Sequence, residues 1–134
     1  MHVKELHNET SYASRLFSCM GQKDQMKWVI DRLNENPHTR SATVTTFEPL
    51  TDEGYISLDF QEEAGNLNLT VYCRALDFGC KAYIHLVMLQ TILQTVSEKT
   101  GMPPGRLTLL IKSAHDYRKD ESKVQGILTA EGAV

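Results

Sequence analysis

The chain has 134 residues, 41% of them hydrophobic and 23% charged, with a formal net charge of −3. That length builds one domain, residues 1–134, with a real core but little to spare. Mixed charges of both signs argue against a nucleic-acid-binding surface, and no apolar run approaches the roughly 18 residues that a membrane span needs.

The N-terminus, Met1-His2-Val3-Lys4-Glu5-Leu6-His7, lacks the apolar centre of a signal peptide. Cys19, Cys73 and Cys80 have no metal-ligand spacing, and their odd number argues against a disulfide framework. The expectation is a reduced, cytoplasmic protein with no metal site.

Residues 1–20 are weakly patterned and predict an irregular or partly helical lead-in. From Gln22 to Asn36 the spacing of Met26, Val29, Ile30 and Leu33 predicts a helix. Asn36-Pro37 stops it, because a residue before proline is pushed out of helical geometry. Ala42 to Phe47, rich in threonine and valine, predicts a strand. Tyr55 to Phe60 alternates apolar and polar residues, as a half-buried strand does. The polar Glu62-Glu63-Ala64-Gly65-Asn66 predicts a hairpin turn, after which Leu67 to Arg74 pairs back.

Tyr83 to Thr100 carries Ile84, Val87, Met88, Ile92 and Val96 on one broad face, with Leu86, Leu89 and Leu93 beside it. A segment apolar around so much of its circumference predicts a long buried helix, and Gly101 is placed to cap it. Leu107 to Tyr117 predicts a strand. Arg118 to Lys123 reads as a solvated face or turn, and Val124 to Val134 as a short helical turn that frays. This order of elements predicts an α+β fold, a mostly antiparallel or mixed sheet covered by helices.

Two short motifs fall at strand ends: Arg74-x-x-Asp77 and His115-x-Tyr117. They suit a small anion and a sugar hydroxyl; each also has a plainer reading. Arg74 and Asp77 make a surface ion pair of a common, weak kind. His115 and Tyr117 share a strand face and serve equally as structural residues. Arg40 reads as an exposed turn residue, His85 as a core or cap histidine, and Cys73 as a small buried side chain.

The joint order of these residues resembles thymidylate synthase. Asp24-Gln25-Met26 through Asn36-Pro37-His38-Thr39-Arg40 is similar to that family's helix and its following arginine turn. Thr45-Thr46-Phe47-Glu48-Pro49 falls where the family has Ser-Ala-Trp-Asn-Pro. Tyr72-Cys73-Arg74-Ala75-Leu76-Asp77 resembles Tyr-Gln-Arg-Ser-x-Asp, and Thr100-Gly101-Met102-Pro103-Pro104-Gly105 resembles Thr-Gly-Leu-x-Pro-Gly. Ser113-Ala114-His115-Asp116-Tyr117 resembles Asp-Ala-His-x-Tyr. The resemblance runs from residue 12 to 118 and implies a minimal thymidylate-synthase-like fold.

It further implies a nucleotide monophosphate pocket. Arg74 would bind the phosphate with its fork of donors. Arg40 would reach the phosphate of a partner subunit, Ser41 standing where the family has a second arginine. His115 and Tyr117 would bind the sugar hydroxyl, and Asp77 would lie near the pyrimidine. The expected partners are a small-molecule ligand, a nucleotide among the candidates, and a second copy of the chain packed sheet against sheet.

The departures shape the functional expectation. The family's nucleophilic cysteine falls near Gly54-Tyr55, and neither residue is a nucleophile. His85 stands where the family's asparagine reads the base. The resemblance leaves out a catalytic glutamate and most of the region that closes over folate, so no folate and no other cofactor is expected. Without thiolate attack the family's route to thymidylate is closed. Three readings stay open: nucleotide binding without methyl transfer, a repurposed biosynthetic enzyme using Asp77, His85 and His115 as acid/base groups, and a non-catalytic interaction subunit. Cys73, next to Arg74, and Cys80, next to Lys81, are candidates for a substitute thiol.

Overall fold

The computed structural model describes residues 24–46 and 55–132. The expected lead-in, Phe47 and the following connection, and Gly54 lie outside those residues. The elements run α1 (Gln25–Glu35), β1 (Ala42–Thr45), β2 (Tyr55–Glu63), β3 (Asn66–Asp77), α2 (Ala82–Thr100), β4 (Pro104–His115) and α3 (Glu121–Ala130), with a 3₁₀ turn at Arg118–Asp120 before α3.

Local chemistry sets the element ends. The Asp24 carboxylate caps α1 by accepting from the Lys27 amide at 3.0 Å, satisfying one of the donors a helix start leaves unpaired. Gly101 closes α2 in the left-handed region at φ 72°, where a side chain would be strained. The β2–β3 hairpin is tighter than the sequence predicts. Ala64 and Gly65 alone form its turn, both at positive φ, and the Glu62 carboxylate accepts from the Gly65 amide at 2.5 Å. That bond first, and the His38 ring at 2.7 Å second, hold the Glu62 carboxyl below its ordinary value.

The four strands lie in the order β1-β2-β3-β4. The first two pairings are antiparallel, but β3 and β4 are parallel, joined by α2 as a β-α-β unit. Register lines up whole rows across the sheet. Val44, Leu58, Val71 and Leu109 form one row, and Ala42, Phe60, Leu69 and Leu107 the next. These rows face Met26, Val29 and Leu33 of α1 and Leu89, Leu93 and Val96 of α2 in a single buried cluster. The opposite rows, such as Thr43, Asp59, Thr70 and Thr108, are exposed and polar. Strand alternation thus gives the sheet one oily face and one wet face.

Two expectations change. Helix α2 buries Leu89, Leu93 and Val96, but Ile84 and Val87 of its predicted apolar face are 49% and 44% exposed. Of its residues 82–88 only Ala82 is buried, while Tyr83, Ile84, Leu86 and Val87 are exposed. The tail is not a frayed turn but a helix of 10 residues preceded by a 3₁₀ turn; Lys123 of the helix and Asp120 of the turn both meet Gly79 in the β3–α2 connection.

Candidate functional site

The parallel pairing of β3 and β4 places Asp77 and His115 opposite each other, as Cα partners at the last position of both strands. The two strands are joined by one helix, α2. The Phe78 amide donates to the His115 carbonyl at 2.8 Å, which ties the two strand ends together. Tyr117 meets His115 edge to face, ring centroids 5.3 Å apart, and Lys119 lies over the outer face of the tyrosine at 5.8 Å. Asp77, His115 and Tyr117 therefore converge, offering a carboxylate, an imidazole and a phenol at one end of the sheet.

Asp77 is fixed by its own turn. Its Oδ1 accepts from the Gly79 amide at 2.9 Å, and its carbonyl accepts from the Lys81 amide at 3.1 Å. His85 follows on the first turn of α2, its amide bonded to the Lys81 carbonyl at 3.1 Å. Burial pushes the His85 imidazole below its ordinary value, and the Lys81 ammonium pushes the same way. Both effects favour the neutral ring.

Arg74 lies three residues inward on β3, about 10 Å from Asp77 at the usual strand rise. Along β3, Leu67, Leu69, Val71 and Cys73 are buried, then Arg74 and Ala75 are both half-buried, then Leu76 is buried. The burial phase thus changes by one residue across Arg74–Ala75 while pairing with β4 stays in register. At this point neither face is fully covered, and Arg74 and Asp77 are both partly open.

Arg40 does not join this group within one chain. It precedes Ala42, which pairs with Phe60, which pairs with Leu69, so it stands at the start of β3 rather than its end. Seven strand residues, about 23 Å, separate that level from Arg74. Its neighbour Ser41 accepts from Arg32 Nη2 at 2.9 Å.

Cys73 is not a substitute nucleophile. It is fully buried on the helix-covered face, and burial pushes its thiol up to about 11, so it carries no thiolate at neutral pH. Cys80 is exposed in the connection before α2. A groove of about 280 Å³ lies at the other end of β4, between Leu93, Gln94, Pro104 and Leu107. It is remote from Asp77 and His115.

A family model of thymidylate synthase matches residues 4–133 of the chain. The chain belongs to the thymidylate synthase family. It is 34% identical over 126 residues to a protein of Methanosarcina mazei named "Putative thymidylate synthase", which covers 90% of this chain and 58% of that one. The protein of the same name from Methanosarcina barkeri is 33% identical over the same span. The chain therefore covers little more than half the length of these relatives. The crystal structure of thymidylate synthase from T4 phage superposes with a TM-score of 0.77 at 21% identity, across 87% of this chain and 42% of that one. The thymidylate synthase fold is thus present in the part that this chain spans.

The sequence reading missed Gly79, Asp120 and Lys123, which pack around the Asp77 turn. Asp77-x-Gly79 carried a local signal, an aspartate placed to form a turn with the amide two residues on. Asp120 and Lys123 carried none, because a contact 44 residues away in sequence leaves no periodicity.

Proposed function

We propose that this chain binds a nucleoside 5′-monophosphate with a pyrimidine base at the carboxyl ends of β3 and β4, without transferring a methyl group. One observation carries the reading. Asp77 and His115 are register partners at the ends of adjacent parallel strands, with Tyr117 against His115. In sheets with parallel β-α-β units, ligands favour the crevice outside those ends. In this assignment Arg74 takes the phosphate, His115 and Tyr117 hold the sugar hydroxyl, and Asp77 and His85 face the base.

Family membership supports a nucleotide over other phosphorylated molecules. The absence of a nucleophile at Gly54-Tyr55, with Cys73 sealed in the core, argues against attack on the base and so against thymidylate formation. The distant position of Arg40 supports a homodimer in which each protomer's Arg40 serves its partner's site, the polar sheet face around Tyr72 and Leu110 forming the contact.

The test is a thermal-shift and calorimetric titration with uridine, deoxyuridine and cytidine 5′-monophosphates, using nucleosides and inorganic phosphate as controls. Native-state binding at a hundredfold excess over Kd adds about 2.7 kcal/mol of stability. We expect one pyrimidine monophosphate to raise Tm, and Arg74→Ala to abolish the rise. No shift with any monophosphate, in a protein that sedimentation shows to be folded, would overturn the reading.

A further inference from the structure

We propose that Lys123 and Asp120, on α3 and its leading turn, are positioning residues that set the carboxylate of Asp77. The inference rests on the nucleotide-site reading of Asp77 and extends it to a part of the chain that the sequence assigned to solvent.

The contact chain is short. Asp77 Oδ1 is held by the Gly79 amide at 2.9 Å, and the Gly79 carbonyl accepts from Lys123 Nζ at 3.1 Å. Gly79 thus carries the Asp77 turn on its amide and the α3 lysine on its carbonyl, two successive peptide groups joined at one residue. An ammonium donor on a partly buried carbonyl is among the stronger hydrogen bonds available to a backbone group. From the other direction Asp120 closes on the same glycine. A Cβ built on Gly79 would stand 2.9 Å from Asp120 Cβ, and 3.3 Å from both Asp120 Oδ2 and Asp77 Oδ1. Only a residue without a side chain fits between the two aspartates.

Asp120 Oδ2 is buried and has no hydrogen-bond partner among the described residues. A buried, unpartnered carboxylate oxygen is costly and calls for a reason. Here the reason is placement: Asp120 backs the turn, and its position beside Asp77 makes the turn sensitive to anything that moves α3. The Phe78 amide, bonded to the His115 carbonyl, passes the same constraint to the second strand end. Lys123, Asp120 and Gly79 therefore hold Asp77 and His115 in one arrangement, before any ligand arrives.

The experiment compares Lys123→Met, Lys123→Arg and Gly79→Ala with the unaltered chain by amide hydrogen exchange and by titration with deoxyuridine 5′-monophosphate and inorganic phosphate. In Lys123→Met the Gly79 amide should exchange about tenfold faster while the Leu93 amide in the core does not change. Nucleotide affinity should fall about tenfold, with phosphate affinity unaltered, and Lys123→Arg should restore both. Gly79→Ala should reproduce the loss with Lys123 intact. Unchanged Gly79 exchange in Lys123→Met, or equal losses for nucleotide and phosphate, would overturn the proposal. If the unaltered chain binds no nucleotide, the binding reading fails by itself, and the exchange at Gly79 still decides whether Lys123 holds the turn.

Discussion

The antiparallel half of the sheet and its parallel half are finished to different degrees. In β2 and β3, Leu58, Phe60, Leu69 and Val71 are 2% exposed or less, sealed by α1 and by the second half of α2. In β4 the same rows end in Leu107, Leu109 and Ile111, which are only partly buried, and Leu110 on the other face is 64% exposed. The first half of α2 shows the same openness at Tyr83, Ile84 and Val87. The antiparallel strands are thus the more completely covered, while β4 and the first half of α2, which carry His115 and His85, leave more apolar surface open. Sites are commonly built in this way, on the less stable margin of a rigid support.

Deleting a side chain from each half should break the comparison most visibly. Leu69→Ala, fully buried in the antiparallel half, should cost about 2–5 kcal/mol in chemical denaturation. Leu107→Ala, only partly buried in β4, should cost clearly less, about 1 kcal/mol. Similar losses at the two positions would mean that the parallel half is packed as tightly as the other.

A smaller effect separates the two ends of the helices. Gly101→Ala forces a side chain into the left-handed region at the end of α2 and should cost about 1 kcal/mol. Asp24→Ala, which removes the α1 cap, should cost a similar amount, about 1 kcal/mol. Thermal melts of the two variants would show whether both helices brace the sheet equally.

The finest probe is pH. His85 is harder to protonate in the fold than in the unfolded chain, so the unfolded state binds more protons as pH falls through the ordinary histidine value of 6.5. Stability is therefore unaffected by His85 well above that value and declines below it. His85→Asn should flatten the slope of stability against pH on the acid side. An unchanged slope would place the acid sensitivity elsewhere.

By itself the sequence determined the elements and their faces. The i, i+3, i+4, i+7 spacing of Met26, Val29, Ile30 and Leu33 marked α1, and the alternation around Leu58 and Phe60 marked β2, because side-chain direction follows a fixed period in each kind of backbone. It also carried the family, since Arg74, Asp77, Gly101, His115 and Tyr117 stand in one order at fixed spacing. Tertiary structure decided what depends on contacts between distant residues. The parallel pairing that sets Asp77 opposite His115 is a matter of strand order, which no local pattern encodes. Cys73 sits beside Arg74 in the chain yet ends in the core, because neighbours on a strand face opposite ways. Lys123 looked like one more surface cation until the fold brought it to the Gly79 carbonyl, 44 residues away. Local periodicity is a property of the backbone and can be read from residue order, whereas a site assembled from strand ends and a returning helix exists only once the chain has closed on itself.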